Sequence, residues 1–318
     1  MGHSGIDGRR NWLTQLVHQS GHLVEPIYTA QLASILESRV IAMDETPIKA
    51  SRQSRGKMKT TYYWPVYGDR NEVAFAWFAS RASPNVKALL GEFSGTLLSD
   101  GYAAYARYAA QAQDVVHAQC WSHTRRQIFE AQDVEPALAA QALEHIGALY
   151  AEEQHIAEAG LAGEEKRLHR IEYTKPKVEG FFAWCEAVLQ DRALLPTNPF
   201  TKALNYALKR RAELSVFLTE PEVAIDTNHL ERAIRPVALG RKNWLFCWTE
   251  VGAKYTGILQ SLLTTCRLHN IDPYTYLVDV LQRIDSHPAS EVHLLTPRLW
   301  KQHFANNPMR APLDNLRQ

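Results

Sequence analysis

Carboxylates at the ends of apolar strands are the first residues of this chain whose type and placement bear on chemistry. Asp44 closes the run IAMD, and Asp100 closes LLSD just ahead of Gly101. Acids at the ends of neighbouring strands can converge on one spot, and a glycine beside one of them lets backbone or substrate approach closely. Glu231, on a later helical stretch, can supply a third carboxylate. Three acidic oxygens suit hard cations such as Mg²⁺ or Mn²⁺. Two such ions about 3.5–4 Å apart can clamp the attacking and leaving oxygens of an in-line phosphoryl transfer. Each residue also has a purely structural reading. Asp-Gly is a common turn, Asp44-Glu45 can be a solvated strand end stopped by Pro47, and Asn228 with Glu231 is spaced like a helix capping box. Spacing alone does not choose between these readings.

Basic residues form three groups. Lys49, Arg52, Arg55, Lys57 and Lys59 follow Asp44 with no acid among them, in what reads as a loop. Lys209, Arg210 and Arg211 end a helical stretch, and Arg232, Arg235, Arg241 and Lys242 surround Glu231. Arg235 falls one helical turn beyond Glu231 on the same face. Basic side chains beside such a site position phosphates and make binding salt-dependent; on an ordinary loop or helix they are simply solvated. Arg125 and Arg126 divide in the same way between phosphate contact and solvent. Trp244 and Trp248 can stack on an unpaired base, but core packing is the preferred reading.

The elements that must carry these residues alternate in character. Residues 1–37 place apolar side chains at three- and four-residue intervals, which predicts helix. Three β-branched and aromatic runs follow at 38–44, 60–68 and 72–79, with Gly68-Asp69-Arg70-Asn71 as the turn joining the second to the third. A helix over 84–91, a short strand TLLSD, a helix from Gly101, a fifth strand at 114–120 and the helix WSHTRRQIFEAQ come next. Three antiparallel strands, then two shorter strands alternating with helices, is the order of a ribonuclease H-like mixed α/β sheet. From 134 to 215 the composition favours helix throughout, reading as an all-helical insertion. The predicted organisation is therefore a helical linker (1–37), a first part of the core (38–133), the insertion (134–215), a second core part with Glu231 (216–286) and an extended C-terminal arm (287–318). Within the second part, Arg235-Pro236 is expected to end the Glu231 helix, with further helices at about 251–268 and 273–284.

Composition sets the outer bounds. At 46% hydrophobic and 22% charged residues over 318 positions, the chain can bury a sizeable core. A net charge of +1 is unlike a dedicated nucleic-acid binder. The four cysteines form no C-x-x-C pair, so neither a disulfide framework nor a four-cysteine zinc site is indicated. No signal peptide or membrane-spanning run is visible, which reads as a soluble cytoplasmic protein.

IAMDETP, LLSDGYAAY, CWSHTRRQIFEA and TNHLERAIRPVALGRKNWLF occur in that order, followed by EVGAKYTGILQSLLTTCRLHNIDPYTYL. In this the chain resembles the large transposase of the insertion-sequence family numbered sixty-six, from about residue 10 to the end. The resemblance implies a DDE transposase, a divalent-metal-dependent enzyme of DNA cleavage and strand transfer, with a ribonuclease H-like core interrupted by a helical insertion. It assigns Asp44, Asp100 and Glu231 as the catalytic and metal-binding triad for two Mg²⁺ or Mn²⁺ ions. Cys120-Trp121-Ser122-His123 resembles the C-x-x-H signature of several transposase groups, in which His123 would contact the scissile phosphate or order the metal site. The alternative for the pair is a small buried cysteine and a helix-capping histidine.

The implied DNA contacts are His123, Arg125, Arg126, Arg232, Arg235, Arg241 and Lys242, and the implied partners are transposon ends and target DNA. A transposase must bring two ends together, so a homo-oligomer is expected, with small accessory proteins of the same element as further partners and nucleoid association on DNA. The family's usual amino-terminal DNA-binding region is expected to be missing, since the first residues resemble the linker helix ahead of the core. Two other readings stay open: a non-catalytic regulatory DNA-binding fragment, and a structure-selective nuclease of the same superfamily.

Overall fold

The computed structural model describes residues 10–54, 57–191, 194–243, 247 and 249–311. In chain order the elements are α1 (Arg10–Leu23), α2 (Glu25–Leu36), β1 (Val40–Met43), β2 (Thr46–Ser54), β3 (Lys57–Gly68), β4 (Val73–Phe78), α3 (Pro84–Leu90), β5 (Gly95–Ser99), α4 (Ala103–Gln111), β6 (Val115–Gln119) and α5 (Trp121–Glu130). A helical stretch follows with α6 (Pro136–Glu158), α7 (Gly163–His169), a π-helical turn (Arg170–Thr174), α8 (Lys175–Asp191), α9 (Pro199–Leu208) and α10 (Arg211–Ser215). Then come α11 (Asn228–Asn243), α12 (Glu250–Leu268), α13 (Pro273–Arg283), a 3₁₀ segment (Ala289–Leu295) and α14 (Pro297–His303). Among the described residues the strands form a parallel set, β1-β5-β6, and an antiparallel set, β2-β3-β4.

The chain divides into two compact units. One comprises residues 39–43 and 91–231, the other 1–38, 44–90 and 232–318. In the first, β1, β5 and β6 are parallel neighbours, with Ile41 opposite Leu97 and Leu97 opposite His117. VIAM and TLLS are near-continuous apolar runs, as strands covered on both faces must be. In the second unit, β2, β3 and β4 are antiparallel, and Gly68 to Glu72 closes the β3–β4 turn (N···O 2.9 Å) with Asn71 at φ 56°. Asparagine tolerates that left-handed geometry better than most residues.

Helix α12 lies against β4 because its facing residues are small. A Cβ on Gly257 would come within 2.6 Å of Phe75 O. One turn on, the Ser261 hydroxyl accepts from Phe75 N (2.8 Å), and Thr265 accepts from Val73 N (3.2 Å). Gln31 on α2 donates to Val73 O (2.8 Å). Val73 N, Val73 O and Phe75 N on the outer side of β4 are thus satisfied by side chains, as buried amides require.

Three expectations are corrected. Residues 49–54 and 57–59 of the basic segment are strand, not loop: they belong to β2 and the start of β3, and in β2 Ile48 and Ala50 point inward and Lys49 outward, an alternation hidden by the charge. The Glu231 helix does not end at Arg235-Pro236; α11 runs through Pro236 to Asn243. Proline forfeits one backbone bond there, at about 3 kcal/mol, but Leu230, Ala233, Ile234 and Val237 are buried at helical spacing on both sides of it. Residues 287–311 do not form an extended arm. Pro288 and Pro297 begin helical turns instead of preventing them, and Leu295 and Trp300 bury against Val24, Ile27, Leu262, Tyr276 and Val280.

Asp279 fixes that last packing. Its carboxylate is buried, paired with Arg283 (2.7 Å), and accepts from Trp300 Nε1 (2.9 Å) and Met309 N (2.8 Å). Burial alone would raise its pKa, but Arg283 and these donors outweigh burial and hold it below the ordinary aspartate value. Because the folded pKa is depressed, this stabilisation is present above the unfolded aspartate value, about 3.9, and is lost as pH falls through the folded one. Asp279→Asn, which leaves Arg283 without its anion, is expected to lower unfolding free energy by about 3 kcal/mol at neutral pH. In urea titrations the difference from the native chain should shrink as pH drops below about 4; a pH-independent difference would remove the charge from the explanation.

Candidate functional site

In the unit of residues 39–43 and 91–231, Asp100 stands just past the carboxyl end of β5. Its Oδ1 accepts from Tyr102 N (2.9 Å), an Asx-type turn leading into α4. Gly101 is required by a neighbour: a Cβ there would fall 2.2 Å from the Tyr206 hydroxyl. Arg210 stacks over the Tyr206 ring at 3.7 Å and donates to Gly101 O (3.4 Å). The close approach expected at this glycine is therefore made by a tyrosine of α9. Neither Tyr206 nor Arg210 stood out as a neighbour of Asp100, because only the fold connects them. Behind Asp100, the Ser99 hydroxyl meets His117 Nε2 at 2.9 Å, and burial holds the His117 imidazole below its usual pKa.

Glu231 lies in the first turn of α11. The segment leading to it is tied down by the C-x-x-H motif. Cys120 is buried at the start of α5, and its Sγ accepts from both Thr227 N and Thr227 Oγ1 at 3.3 Å. Trp121 N donates to Ile225 O (3.1 Å), and Trp121 Nε1 to Leu214 O (2.8 Å). Burial would raise the Cys120 thiol pKa, but hydrogen bonds from His123, Ser122 and Thr227 bring it below its ordinary value. Asp226 then caps the helix by accepting from Asn228 N (2.9 Å) and Asn228 Nδ2 (2.6 Å). Asn228 is consequently the first helical residue, and the capping box suggested by its spacing from Glu231 is replaced by this Asp226 turn.

The Glu231 carboxylate faces α5 instead. His123 Nε2 is 3.9 Å from Oε1, and an Arg126 guanidinium nitrogen is 4.0 Å from Oε2. His123 and Arg126 share one face of α5 by their three-residue spacing. Arg126 is about half exposed, so the pairing steers more than it stabilises. Ser122, Arg125, Arg126, Phe129, Tyr150 and Asn228 line a cleft of about 430 Å³ on the same unit.

In the unit of residues 1–38, 44–90 and 232–318, Asp44 follows β1 directly, its Oδ1 accepting from Glu45 N (2.7 Å). The neighbouring Glu45 is nearly buried and ion-paired with Arg81. Arg232, Arg235, Arg241 and Lys242 are exposed along α11. Arg241 donates to Thr46 Oγ1 (2.7 Å) and Pro47 O (3.2 Å), which gives it a structural role joining α11 to β2. Arg55, Trp244 and Trp248 lie outside the described residues. Among the described residues, no group of three or more His, Cys, Asp and Glu is gathered to hold a metal ion. No helix among them is long and apolar enough to cross a membrane.

The helical stretch contributes a buried arginine with no warning in the sequence. Arg170 is fully buried, ion-paired with Glu153 (2.6 Å), and donates to Phe217 O (2.6 Å), Glu220 O (3.3 Å) and Val223 O (3.1 Å). It opens the π-helical turn between α7 and α8, a widening that often marks a functional position.

These features coincide with a sequence match. The chain is matched by the Transposase IS66 family over residues 1–255 and by the IS66 C-terminal element over residues 261–297. It belongs to the IS66 transposase family. Similar curated proteins include the uncharacterized protein y4hP of Sinorhizobium fredii (strain NBRC 101917 / NGR234), 30% identical over 332 residues, covering 96% of this chain and 59% of that protein. The uncharacterized protein y4qI of the same organism is 29% identical over 309 residues, covering 92% and 57% respectively. The chain thus spans 59% or less of the length of these relatives.

Arg170 yields a direct test. Arg170→Met strands Glu153 and three carbonyls, and is expected to lower unfolding free energy by about 3–5 kcal/mol in denaturant titrations. Arg170→Met combined with Glu153→Leu should recover part of that loss. An unshifted midpoint in the single variant would show that the pair contributes nothing.

Proposed function

We propose that this chain is the catalytic core of a DDE-type transposase, which cleaves DNA at the ends of a mobile element and joins the freed 3′ hydroxyl to target DNA. One observation carries the reading. β1 and β5 are parallel neighbours, and each is followed at its carboxyl end by an aspartate two residues beyond the last register pair, Ala42 and Leu98. Carboxyl ends of parallel strands are where open α/β sheets place their ligands. Membership of the IS66 transposase family supports the same conclusion. The antiparallel β2–β4 set followed by parallel β5 and β6 supports assigning the sheet to the ribonuclease H-like type, with residues 134–215 as its helical insertion.

The donor set fits hard divalent cations by its chemistry: Asp44, Asp100 and Glu231 offer oxygen alone, and Mg²⁺ or Mn²⁺ are oxygen-seeking. These three residues would hold two such ions, which when bound activate the attacking oxygen and stabilise the leaving one. The chain's own groups do the positioning. Tyr102 N fixes one Asp100 oxygen, and His123 and Arg126 orient the Glu231 carboxylate. Arg125 and Arg126, exposed on α5, and Arg232, Arg235 and Lys242, exposed on α11, contact phosphates. Since two DNA ends must be held together, the working form is at least a dimer, acting in the cytoplasm on nucleoid DNA, with accessory proteins of the element as further partners.

Asp44→Asn, Asp100→Asn and Glu231→Gln are each expected to lower cleavage of element-end DNA by about 100-fold or more while the circular dichroism spectrum is retained. Full activity in any one variant removes that residue from the site. Chelation should abolish cleavage, with Mg²⁺ or Mn²⁺ restoring it. Hydrolysis without joining to target DNA would instead identify a nuclease, and binding without either reaction a regulatory protein. Replacing Arg232 and Arg235 with alanine should flatten the dependence of affinity on salt by about one unit of slope per lost phosphate contact.

A further inference from the structure

We propose that the cleft lined by α5 binds a single unpaired nucleotide of a DNA strand, with its base against Phe129 and its phosphate on Arg125 and Arg126. This rests on the transposase reading above, because the cleft shares Arg126 with Glu231.

The argument starts from α5. Ser122, Arg125, Arg126 and Phe129 recur at three- and four-residue intervals, so one face of the helix carries a hydroxyl, two guanidinium groups and an aromatic ring. Phe129 is 47% exposed. A lone exposed aromatic is unremarkable on a convex surface. This one lies in a concavity with two cations, closed by Tyr150 of α6 and Asn228 of α11. The volume of about 430 Å³ suits a small ligand better than a duplex, since ligand sites run from roughly 300 to 1,000 Å³.

The chemistry then narrows the ligand. Paired guanidinium groups select phosphate. An exposed ring selects a flat π-face, and every base presents one. The Ser122 hydroxyl and the Asn228 amide can pair with base edges without fixing which base is present. Tyr150 stays a neutral phenol, because burial and the Asp226 carboxylate both raise its pKa. It therefore adds no negative charge to a site for an anion. Phosphate, base and edge contacts together describe a nucleotide taken out of its stack, as happens where a strand end must be opened for chemistry. A phosphorylated peptide would use the arginines and leave the ring without a purpose.

The test uses the full chain and two oligonucleotide duplexes, one blunt and one with a single-nucleotide overhang carrying 2-aminopurine. Wild-type protein should quench the 2-aminopurine fluorescence on binding, as stacking does. Phe129→Ala should abolish the quench and weaken overhang binding by about 5- to 100-fold, leaving affinity for the blunt duplex unchanged. Phe129→Tyr, which keeps the ring, should retain both quench and affinity. Equal quenching by wild type and Phe129→Ala, or an equal loss of affinity for both duplexes, would overturn the inference. If wild-type protein cleaves element-end DNA yet does not distinguish the two duplexes, only this inference fails. If it binds neither duplex, the transposase reading fails with it.

Discussion

A single buried cation organises the unit that holds Asp100 and Glu231. Arg170 reaches out of the π-helical turn to Glu153 on α6 and to three carbonyls of the 217–223 segment. Those carbonyls follow α10 and precede the Glu231 helix, where the chain has little regular structure to satisfy them. A guanidinium can serve several acceptors in one plane, and an ammonium cannot. With Val223 fixed by Arg170, Ile225 by the Trp121 amide and Thr227 by Cys120, successive odd positions of the approach to Glu231 are each held by a different partner. The carboxylate is delivered by a restrained path, so its helix need not be long or well capped to place it.

This arrangement changes the meaning of the C-x-x-H motif. Cysteine and histidine at that spacing invite a metal reading, yet the cysteine sulfur accepts from Thr227 and is hydrogen-bonded by Ser122 and His123, and the same histidine lies 3.9 Å from the Glu231 carboxylate. The tryptophan between them is buried among Phe181 and Phe182 of α8. The motif is a joint in which β6, α5, the helical stretch and the start of α11 meet.

Much of this was legible in the residues. The apolar runs at β1, β3, β4, β5 and β6, the Gly68–Asn71 turn and the helices after 134 follow from period and turn chemistry, which depend on near neighbours alone. Where sequence and structure differ, charge and proline are the cause, because neither residue type reports what its buried neighbours do. Lys49 disguises β2, whose alternation lies in Ile48 and Ala50, and Lys57 and Lys59 disguise the start of β3. Pro236 predicts a helix end, but buried side chains on both flanks carry the helix past it. The segment after His287 reads as an extended arm, but Pro288 and Pro297 stand at the starts of helical turns. Around the acids, the short-range features were visible, including the strand ends and the glycine. Tyr206, Arg210 and Arg170 were not, because they reach the site from the helical stretch, and one sequence holds no record of pairings across such separations.

The seal along β4 has a consequence for how the protein behaves in a crowded solution. VAFAWF is an apolar, β-prone run without a charge, the kind of segment that nucleates cross-strand aggregation when its edge is bare. Two hydroxyls, Ser261 and Thr265, occupy its outward amides, and Gly257 lets them come near enough to do so. They make the strand chemically mute toward foreign backbones without a lysine or a bulge on the strand itself. The cover on this strand comes from three small residues of a helix remote from it in sequence.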